Sequence, residues 1–301
     1  MQRRAWLILH GKQAQNEAVR EAVQARRDDG WDLAVRLTWE AGDARRLVEE
    51  GLRAGYSRLI AGGGDGTLNE VATALIDLQG AASLALLPLG SANDFARAAQ
   101  IPLEPAAALD LLAAEATPVD LGMANERLFV NMATGGFGSL VTANTSEELK
   151  KVLGGGAYLL TGITRFAEVR SAFGRFHGPD FDWQGDFLAL GIGNGRQAGG
   201  GHALCPNATI TDGLLDLCLI PAPQDVGETL RVLLGGGMLG LDAVAITARL
   251  PWLEVEAPEG LDLNLDGEPL HSTRVRFAVR RQALRLHLPA DSPLLTGAVA
   301  D

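Results

Sequence analysis

Residues 58–75 read RLIAGGGDGTLNEVATAL, and this stretch constrains the fold more than any other part of the chain. A short apolar run is followed by four glycines within residues 62–66, and then by apolar side chains at helical spacing. Glycine permits backbone dihedrals that other residues avoid and leaves amide groups uncovered. A buried strand that turns directly into a helix N-terminus is a typical phosphate site. The stretch therefore predicts an α/β unit that holds a nucleotide or a phosphorylated substrate.

The spacing of Thr67 and Glu70 is that of a capping box, so we expect the helix to begin at Thr67. The loop lacks the Gly-Lys-Ser/Thr ending of a Walker A loop and the third glycine of a Rossmann fingerprint. Asp65 would repel a phosphate unless a divalent cation or a network of donors lay between them. An ordinary strand–turn–helix without a ligand is the alternative interpretation.

The length, charge and cysteine content of the chain exclude several classes of protein. The 301 residues suffice for two domains, and a hydrophobic content of 47% supports a buried core. A net charge of −11 argues against nucleic-acid binding and against a strong polybasic membrane anchor. The two cysteines, Cys205 and Cys218, are too few for a disulfide framework, which favours a reducing cytoplasm. No apolar run of membrane-spanning length is present.

Strand and helix patterns alternate over the first ~120 residues, which predicts a parallel sheet covered on both faces. The predicted strands are residues 6–9, 33–37, 59–61 and 84–87, and the predicted helices are residues 15–27, 43–53, 67–78, 92–99 and 106–115. Ser91 is the expected N-cap of the fourth helix. Ligands bind outside the carboxyl ends of such strands. Small, polar or glycine-rich residues follow all four strands, at residues 10–12, 38, 62–66 and 88–94.

Beyond about residue 120 the pattern changes to short alternating strands, which predicts a mainly β second domain, a sandwich. Predicted strands include residues 208–210, 214–220, 253–257, 261–265, 275–279 and 283–288. Helical pieces are expected within residues 146–173 and 224–234, and residues 289–301 look like a tail.

Two Asp-Gly turns carry candidate chemistry. Asp212 and loop carbonyls near it are suitable oxygen ligands for Mg²⁺. Glu268, directly after Asp266-Gly267, could accept a proton from an attacking hydroxyl if its surroundings raised its pKa. Taken alone, each segment is more typical of a plain hairpin turn. In the glycine-rich segment 191–201, Arg196 could face a phosphate, or the segment could be a flexible loop.

Taken together, five segments resemble the diacylglycerol kinase catalytic-domain family, and the nearest resemblance is to bacterial YegS-type lipid kinases. The segments are GGGDGTLNE at 62–70, LPLGSANDFA at 87–96, NMATGGFG at 131–138, GNGRQAGGG at 193–201 and DGEPL at 266–270. The resemblance implies a nucleotide-binding α/β domain over residues 1–122, to which residues 289–301 return, and a β-sandwich domain over residues 123–288. ATP would lie in the cleft between the two domains.

The resemblance also implies roles for individual residues. The ATP phosphates would be lined by Gly64, Asp65, Gly66, Thr67, Leu68, Asn69 and Glu70. Thr38 and Ser91 would add hydroxyl contacts to the nucleotide. Asp212 and the carbonyls of Thr209 and Leu214 would hold Mg²⁺. Glu268 would be the proton acceptor, and Asp266 would be a polar member of the same cleft.

The expected activity is transfer of the γ-phosphoryl group of ATP to a glycerolipid hydroxyl, with phosphatidylglycerol or diacylglycerol as acceptor. Brief contact with a membrane surface is expected, and apolar side chains around residues 153–166 could guide a lipid tail or form a buried helix. A kinase for a soluble substrate such as NAD, and a non-catalytic nucleotide or lipid sensor, are the alternatives. The chain departs from the resemblance at His10-Gly11-Lys12, where an asparagine is usual.

Overall fold

The computed structural model describes residues 3–136, 171–222 and 245–296, and its first part alternates strands with helices. In chain order these elements are β1 (Arg4–His10), α1 (Glu17–Asp28), β2 (Asp32–Thr38), α2 (Asp43–Arg53), β3 (Arg58–Gly63), α3 (Asp65–Asp77), β4 (Ser83–Pro88), α4 (Asp94–Ala98) and α5 (Pro105–Asp110). The later described elements are β5 (Thr117–Ala124), β6 (Arg127–Phe129), β7 (Met132–Gly136), β8 (Ala172–Gly178), β9 (Phe181–Gly193), β10 (Gln197–Ala198), β11 (His202–Ala203), β12 (Leu215–Pro221), β13 (Ile246–Leu250), β14 (Trp252–Leu265), β15 (Glu268–Leu286) and α6 (Pro293–Thr296).

The first four strands pair in parallel, in the order β4-β3-β1-β2. The central residues of β1, β3 and β4 are apolar and buried, as expected for strands covered by helices on both faces, whereas β2 is the edge strand and is buried only at Leu33. Since the strands run in the same direction, their carboxyl ends share one edge of the sheet. The loops after residues 10, 38, 63 and 88 therefore lie along that edge.

Three predicted helix starts are wrong by two residues: those of α1, which begins at Glu17, of α3 and of α4. Helix α3 begins at Asp65 with Gly64 as N-cap, so Thr67 and Glu70 lie inside the helix and form no capping box. Gly63 makes this possible, because a Cβ there would lie 2.2 Å from the Thr67 hydroxyl oxygen. The Thr67 side chain, in the first turn of α3, therefore packs against the backbone of Gly63, which has no side chain.

Helix α4 begins later than predicted, and its N-cap is Asn93 rather than Ser91. The Asn93 side chain accepts the Gly90 N–H at 2.8 Å and donates to the Gly90 carbonyl at 2.9 Å. These two bonds close a turn over residues 90–93, and Asn93 leaves it in the left-handed region with φ +52°. Residues 92 and 93, which were expected to begin the helix, belong to this turn instead.

The second half is β-rich, and two of its strands are longer than predicted. Strand β15 pairs with β14 at its start, with β5 further along, and in parallel with β4 through Leu286. One hydrogen-bonded sheet thus runs from the second half into the first. The segment at 208–210, predicted as a strand, is not one, because Ile210 is held by Leu294 and Asp120 outside the sheet. The helices expected at 224–234 and within residues 146–173 lie outside the described residues, except that β8 begins at Ala172, so the last residues of the second range are not helical.

Two hydrophobic clusters form the core. The first packs the helices of the N-terminal half on the parallel sheet and includes Leu286 and Leu294, which come from the end of the chain. The second fills the β-rich half, with Phe176, Phe187 and Phe277 fully buried. Strand β15 supplies side chains to both clusters and so joins them. The domain boundaries at residues 122 and 288 stay predictions.

Across residues 3–136, 171–222 and 245–296, none of the helices has the length and apolar character required to cross a membrane.

We expect His287→Gln to flatten the pH dependence of stability below about pH 6.5. His287 is buried beside the hydroxyl of Ser83, and burial lowers its pKa. As pH falls below about 6.5, the unfolded chain takes up a proton at this position before the folded chain does. The wild-type protein therefore loses stability toward lower pH, by at most about 1.4 kcal/mol per pH unit from this group.

Urea unfolding between pH 5 and pH 7.5 measures this slope. His177→Gln is the control, because His177 is exposed and paired with Asp182. A His287→Gln variant that keeps the wild-type slope would show that the slope arises elsewhere.

Candidate functional site

The loops singled out in the sequence meet at one edge of the parallel sheet. Thr38 is paired with His10 at the ends of β2 and β1. A Cβ on Gly11 would lie 2.4 Å from the Thr38 carbonyl oxygen, so the two loops touch. On the other side, the Leu89 amide donates to the Gly63 carbonyl at 2.8 Å. The arrangement gathers the predicted nucleotide contacts of the first half along one surface.

The loops after β3 and β4 pack backbone against backbone. A Cβ added to Gly90 would lie 2.5 Å from the Cα of Gly64, and one added to Gly64 would lie 3.1 Å from the Cα of Gly90. Neither position has room for a side chain. Ser91, which follows this contact, is exposed at the rim of the loop.

The start of α3 presents main-chain amides to the second half of the chain. The first intrahelical bond is donated by Leu68 to Gly64 at 3.0 Å, so the amides of residues 65–67 precede the helical ladder. Such amides, with the positive end of the helix dipole, attract anions. The heavy atom nearest to a Cβ on Gly66 would be the carbonyl oxygen of Asp266, at 3.9 Å. The start of α3 and the turn that carries Glu268 thus face each other.

Not all predicted phosphate contacts lie on this surface. Leu68 is buried in the first hydrophobic cluster and its amide is used within the helix, so we drop Leu68 from the candidate nucleotide contacts. Asn69 is also buried, and its side chain accepts the Thr73 hydroxyl at 3.4 Å. Thr67 is buried over Gly63. These residues anchor the start of α3, while its amides remain the candidate phosphate donors.

Asp65 supports a neighbouring helix. Its carboxylate accepts the amides of Asp94 at 3.0 Å and Phe95 at 2.9 Å, which are orphan donors of the first turn of α4. Burial raises the pKa of Asp65, and the charge of Asp94 adds to this rise against the effect of the two amides. The structure therefore places Asp65 as a link between α3 and α4.

Asp266 fixes the turn before Glu268. Its carboxylate accepts the amides of Val130 at 2.5 Å, Asn131 at 3.1 Å and Met132 at 2.8 Å. Burial raises its pKa to about 7 despite these three donors. Glu268 itself is exposed as the first residue of β15. The buried aspartate thus holds the turn while the glutamate stays accessible.

Glu70 brings a second carboxylate to the same place. Partial burial and then the charge of Glu268 raise the pKa of Glu70, and His10 lowers it. Glu70 lies on α3 and Glu268 on β15, so the interaction crosses between the two halves. The sequence placed His10 at the end of the first strand and marked it as a departure from the family pattern, but gave it no role in the site.

The predicted metal residues surround one carboxylate. Asp212 accepts the Thr209 hydroxyl at 2.5 Å on one oxygen and the Leu214 amide at 2.9 Å on the other. Arg249 also bonds Asp212 and lies 3.5 Å from Asp216. Within the described ranges, no group of three or more His, Cys, Asp or Glu side chains could hold a metal.

The donor set at this loop nevertheless fits a hard cation. Asp212 and Asp216 are two carboxylates around one arginine, and Oδ2 of Asp216 is buried with no hydrogen-bond partner. Burial and then the charge of Asp212 raise the pKa of Asp216 to about 6. Mg²⁺ takes oxygen ligands from carboxylates, carbonyls and water. Arg249 supplies the counter-charge that a cation would otherwise provide.

Arg196 does not face a phosphate. Its guanidinium is buried and donates to the carbonyls of Ala208 at 2.9 Å and Pro293 at 2.7 Å, which ties α6 to the loop before β12. Other buried polar residues, which the sequence did not single out, also connect separate segments of the chain. Asp120 accepts the amides of Gly213 at 2.8 Å and Gln282 at 2.7 Å, and so supports the turn that follows Asp212.

Comparison with known proteins assigns the family. The family model described as Diacylglycerol kinase catalytic domain matches residues 4–124, and the one described as YegS C-terminal NAD kinase beta sandwich-like domain matches residues 136–288. This chain belongs to the diacylglycerol kinase catalytic-domain family. Membership confirms the resemblance stated above and makes the chain an enzyme with a kinase catalytic domain.

Relatives and solved structures agree with this family. A Pseudomonas aeruginosa protein named "Probable lipid kinase YegS-like" is 69% identical over 289 residues, which cover 96% of this chain and 95% of that protein. A Pseudomonas fluorescens protein of the same name is 65% identical over 297 residues, or 99% of each chain. The crystal structure of a diacylglycerol kinase from Bacillus anthracis str. Sterne shares the fold, with a TM-score of 0.75, 20% identity, and coverage of 96% of this chain and 98% of that chain. A second structure from that organism has a TM-score of 0.82, 23% identity and 96% coverage of both chains.

We expect Gly66→Ala to weaken ATP binding by about tenfold or more while the protein keeps its stability. A Cβ at Gly66 meets only ordinary contacts within the fold, but it projects into the space between the amides and Asp266. Thermal unfolding and ATP titration by calorimetry measure the two effects, and loss of one charge-assisted bond sets the tenfold scale.

Gly90→Ala is the contrast, because its Cβ would overlap Gly64 and should destabilise the fold by about 1–3 kcal/mol. Unchanged ATP affinity in Gly66→Ala would remove this turn from the phosphate site.

We expect Arg249→Ala to increase the affinity for Mn²⁺, used as a probe for Mg²⁺, by about threefold. The substitution removes a competing positive charge from Asp212 and Asp216. Mn²⁺ titration followed by electron paramagnetic resonance measures the change. Arg276→Ala, which removes a surface pair with Glu254, is the control. Affinity that stays the same or falls would show that Arg249 does not compete with a cation at this loop.

Proposed function

We propose that this kinase transfers the γ-phosphoryl group of ATP to a hydroxyl of a glycerolipid, of the phosphatidylglycerol or diacylglycerol class, with Mg²⁺. The observation that carries the proposal is the contact between the start of α3 and the turn before Glu268, where Gly66 and the Asp266 carbonyl face each other. An anion-binding turn and an exposed carboxylate on opposite sides of one cleft are the parts that phosphoryl transfer to a hydroxyl requires.

The nucleotide side of the cleft is supported by the parallel sheet. The amides of Gly66 and Thr67 are the proposed donors to the phosphates, because they precede the helical ladder of α3. The hydroxyls of Thr38 and Ser91, on the loops after β2 and β4, are proposed contacts to the rest of the nucleotide. The main-chain contact between Gly64 and Gly90 keeps the two flanking loops together.

The acceptor side of the cleft is the turn that ends in Glu268. The proposed role of Glu268 is to orient the lipid hydroxyl and accept its proton as the oxygen attacks phosphorus. The charge of Glu268 is close enough to raise the pKa of Glu70, so two carboxylates share this part of the proposed site. Negative side chains beside a triphosphate favour a cation as part of the bound substrate.

The proposed ligands of Mg²⁺ are the Asp212 carboxylate and the main-chain carbonyls of Thr209 and Leu214. When bound, Mg²⁺ would supply charge stabilisation for the transferring phosphoryl group. Asp120 supports this loop by accepting the Gly213 amide. Among the described residues, the buried Oδ2 atom of Asp216 has no hydrogen-bond partner, and a cation bound at this loop would offset its charge.

The lipid acceptor is proposed on the basis of the relatives, whose printed name is lipid kinase. The acidic chain favours brief contact with a membrane surface over stable electrostatic anchoring. The two free cysteines, Cys205 and Cys218, are consistent with a cytoplasmic location. Labelled ATP offered with phosphatidylglycerol, diacylglycerol and NAD as separate acceptors tests the substrate class. Labelled lipid is the expected product, and labelled NADP alone would contradict the proposal.

We expect Glu268→Ala to lower kcat by at least about a hundredfold while ATP still binds with unchanged affinity, because the carboxylate acts on the acceptor hydroxyl. Glu259→Ala is the matched control, since Glu259 is also an exposed glutamate of the β-rich half but lies away from the cleft. Lipid phosphorylation and calorimetric ATP titration on both variants supply the measurements. Near-normal turnover in Glu268→Ala would remove it from the mechanism.

A further inference from the structure

A small hairpin of the β-rich half is attached to the nucleotide half by one buried carboxylate. Strands β10 and β11 form the hairpin, and residues 199–201 form its tip. The amides of Gly200 and Gly201 donate to the two carboxylate oxygens of Asp94, at 3.0 Å and 2.6 Å. Asp94 is only 6% exposed, whereas Gly200 and Gly201 are exposed, so a buried carboxylate holds a tip that lies at the surface.

The backbone conformation of the hairpin tip favours glycine at all three of its residues. Gly199, Gly200 and Gly201 all have positive φ, at +65°, +90° and +102°. A Cβ on Gly200 or Gly201 would meet nothing within 4 Å, so packing does not exclude side chains there. The left-handed backbone turns successive amides toward one side, and such an arrangement binds an anion. Here that anion is the Asp94 side chain.

The base of the hairpin is attached to the turn that carries Glu268. The Asn131 side-chain amide donates to the Gln197 carbonyl at 2.7 Å. The Asn131 main-chain amide donates to the carboxylate of Asp266 at 3.1 Å. A path of hydrogen bonds thus runs from Asp94 through the hairpin to the residue two positions before Glu268.

The other end of Asp94 is attached to the phosphate-binding helix. Its main-chain amide donates to the carboxylate of Asp65 in the first turn of α3, at 3.0 Å. Gly66, the next residue, faces the Asp266 carbonyl. The path therefore closes into a ring that contains the start of α3, the start of α4, the hairpin and the turn before Glu268.

We propose that Asp94 is a positioning residue that fastens the hairpin tip across the cleft and thereby sets Glu268 against the phosphate-binding amides. The proposal rests on the function proposed above. Asp94 contacts no reacting atom in this account, and it acts through the hairpin, Asn131 and Asp266. Its loss should loosen the alignment of the two sides of the cleft and leave the nucleotide side assembled.

Amide hydrogen exchange of peptides spanning residues 197–203 tests the contact directly, without reference to activity. In Asp94→Ala both tip amides lose their acceptor, and we expect their exchange to accelerate by about tenfold to a hundredfold. Asp94→Asn keeps one acceptor oxygen and should give a smaller increase. Glu104→Gln is the matched control, because Glu104 also accepts two amides, those of Ala106 and Ala107, but within the nucleotide half.

Kinetics on the folded fraction of each variant then test the positioning role. We expect kcat to fall by at least about tenfold in Asp94→Asn and further in Asp94→Ala, with the ATP dissociation constant within about twofold of wild type. A residue that only stabilised the fold would lower the folded fraction and leave kcat per folded molecule unchanged. If Asp94→Ala does not fold, Asp94→Asn carries both measurements.

Two results would overturn the proposal. Unchanged exchange at residues 200 and 201 would show that Asp94 does not hold the tip. Accelerated exchange with unchanged kcat per folded molecule would show that the contact does not position the cleft. A wild-type protein that phosphorylates no lipid would refute the proposed function instead, and the exchange measurement would then decide alone whether Asp94 holds the hairpin.

Discussion

The site depends on one kind of interaction, a buried carboxylate that accepts main-chain amides from a distant loop. Asp94 and Asp120, which are buried, and Asp65 and Asp266, which are half-buried, each make such bonds, and among the described residues none of the four forms an ion pair with lysine or arginine. A buried carboxylate is costly unless donors satisfy its oxygens, and each charge-assisted bond is worth about 1.5–3 kcal/mol. The loops around the cleft have few ladder bonds of their own, so these contacts decide where the loops lie.

A second constraint is the length of β15. The strand begins at Glu268, beside the cleft, and ends at Leu286, which is buried in the core of the nucleotide half. Because the strand is hydrogen-bonded to β14, β5 and β4 in turn, the proposed base is connected through a continuous sheet to the strands that precede the loops proposed to bind phosphate. The cleft is therefore bounded by parts of one connected framework, and the aspartate contacts align the loops on it.

The apolar runs of the first half predicted its strands well, because a strand buried on both faces must be apolar along its length. Helix starts were less predictable. Thr67 satisfies a capping pattern, yet the missing Cβ at Gly63 lets the helix begin two residues earlier, and Asn93 displaces Ser91 by closing a local turn. Both outcomes depend on contacts that a capping pattern does not include.

The candidate site likewise contains residues that the sequence predicted and residues that it did not. The glycine loop and Glu268 were identified from local patterns, and the structure places Gly66 beside the turn that precedes Glu268. The two roles considered for the segment of Arg196, a phosphate contact and a flexible loop, did not include the observed one, because its partners, the carbonyls of Ala208 and Pro293, lie in other segments of the chain. Asp94 and Asp120 were missed for the same reason, since their acceptor roles join residues about 100 positions apart.

The central claim is that the amides at the start of α3 and the carboxylate of Glu268 bound a single site for phosphoryl transfer. A crystal structure with a non-hydrolysable ATP analogue and Mg²⁺ tests it most directly. The account predicts phosphate oxygens within hydrogen-bond distance of the Gly66 and Thr67 amides, with the terminal phosphate facing Glu268. A nucleotide bound elsewhere, with that turn empty, would contradict it.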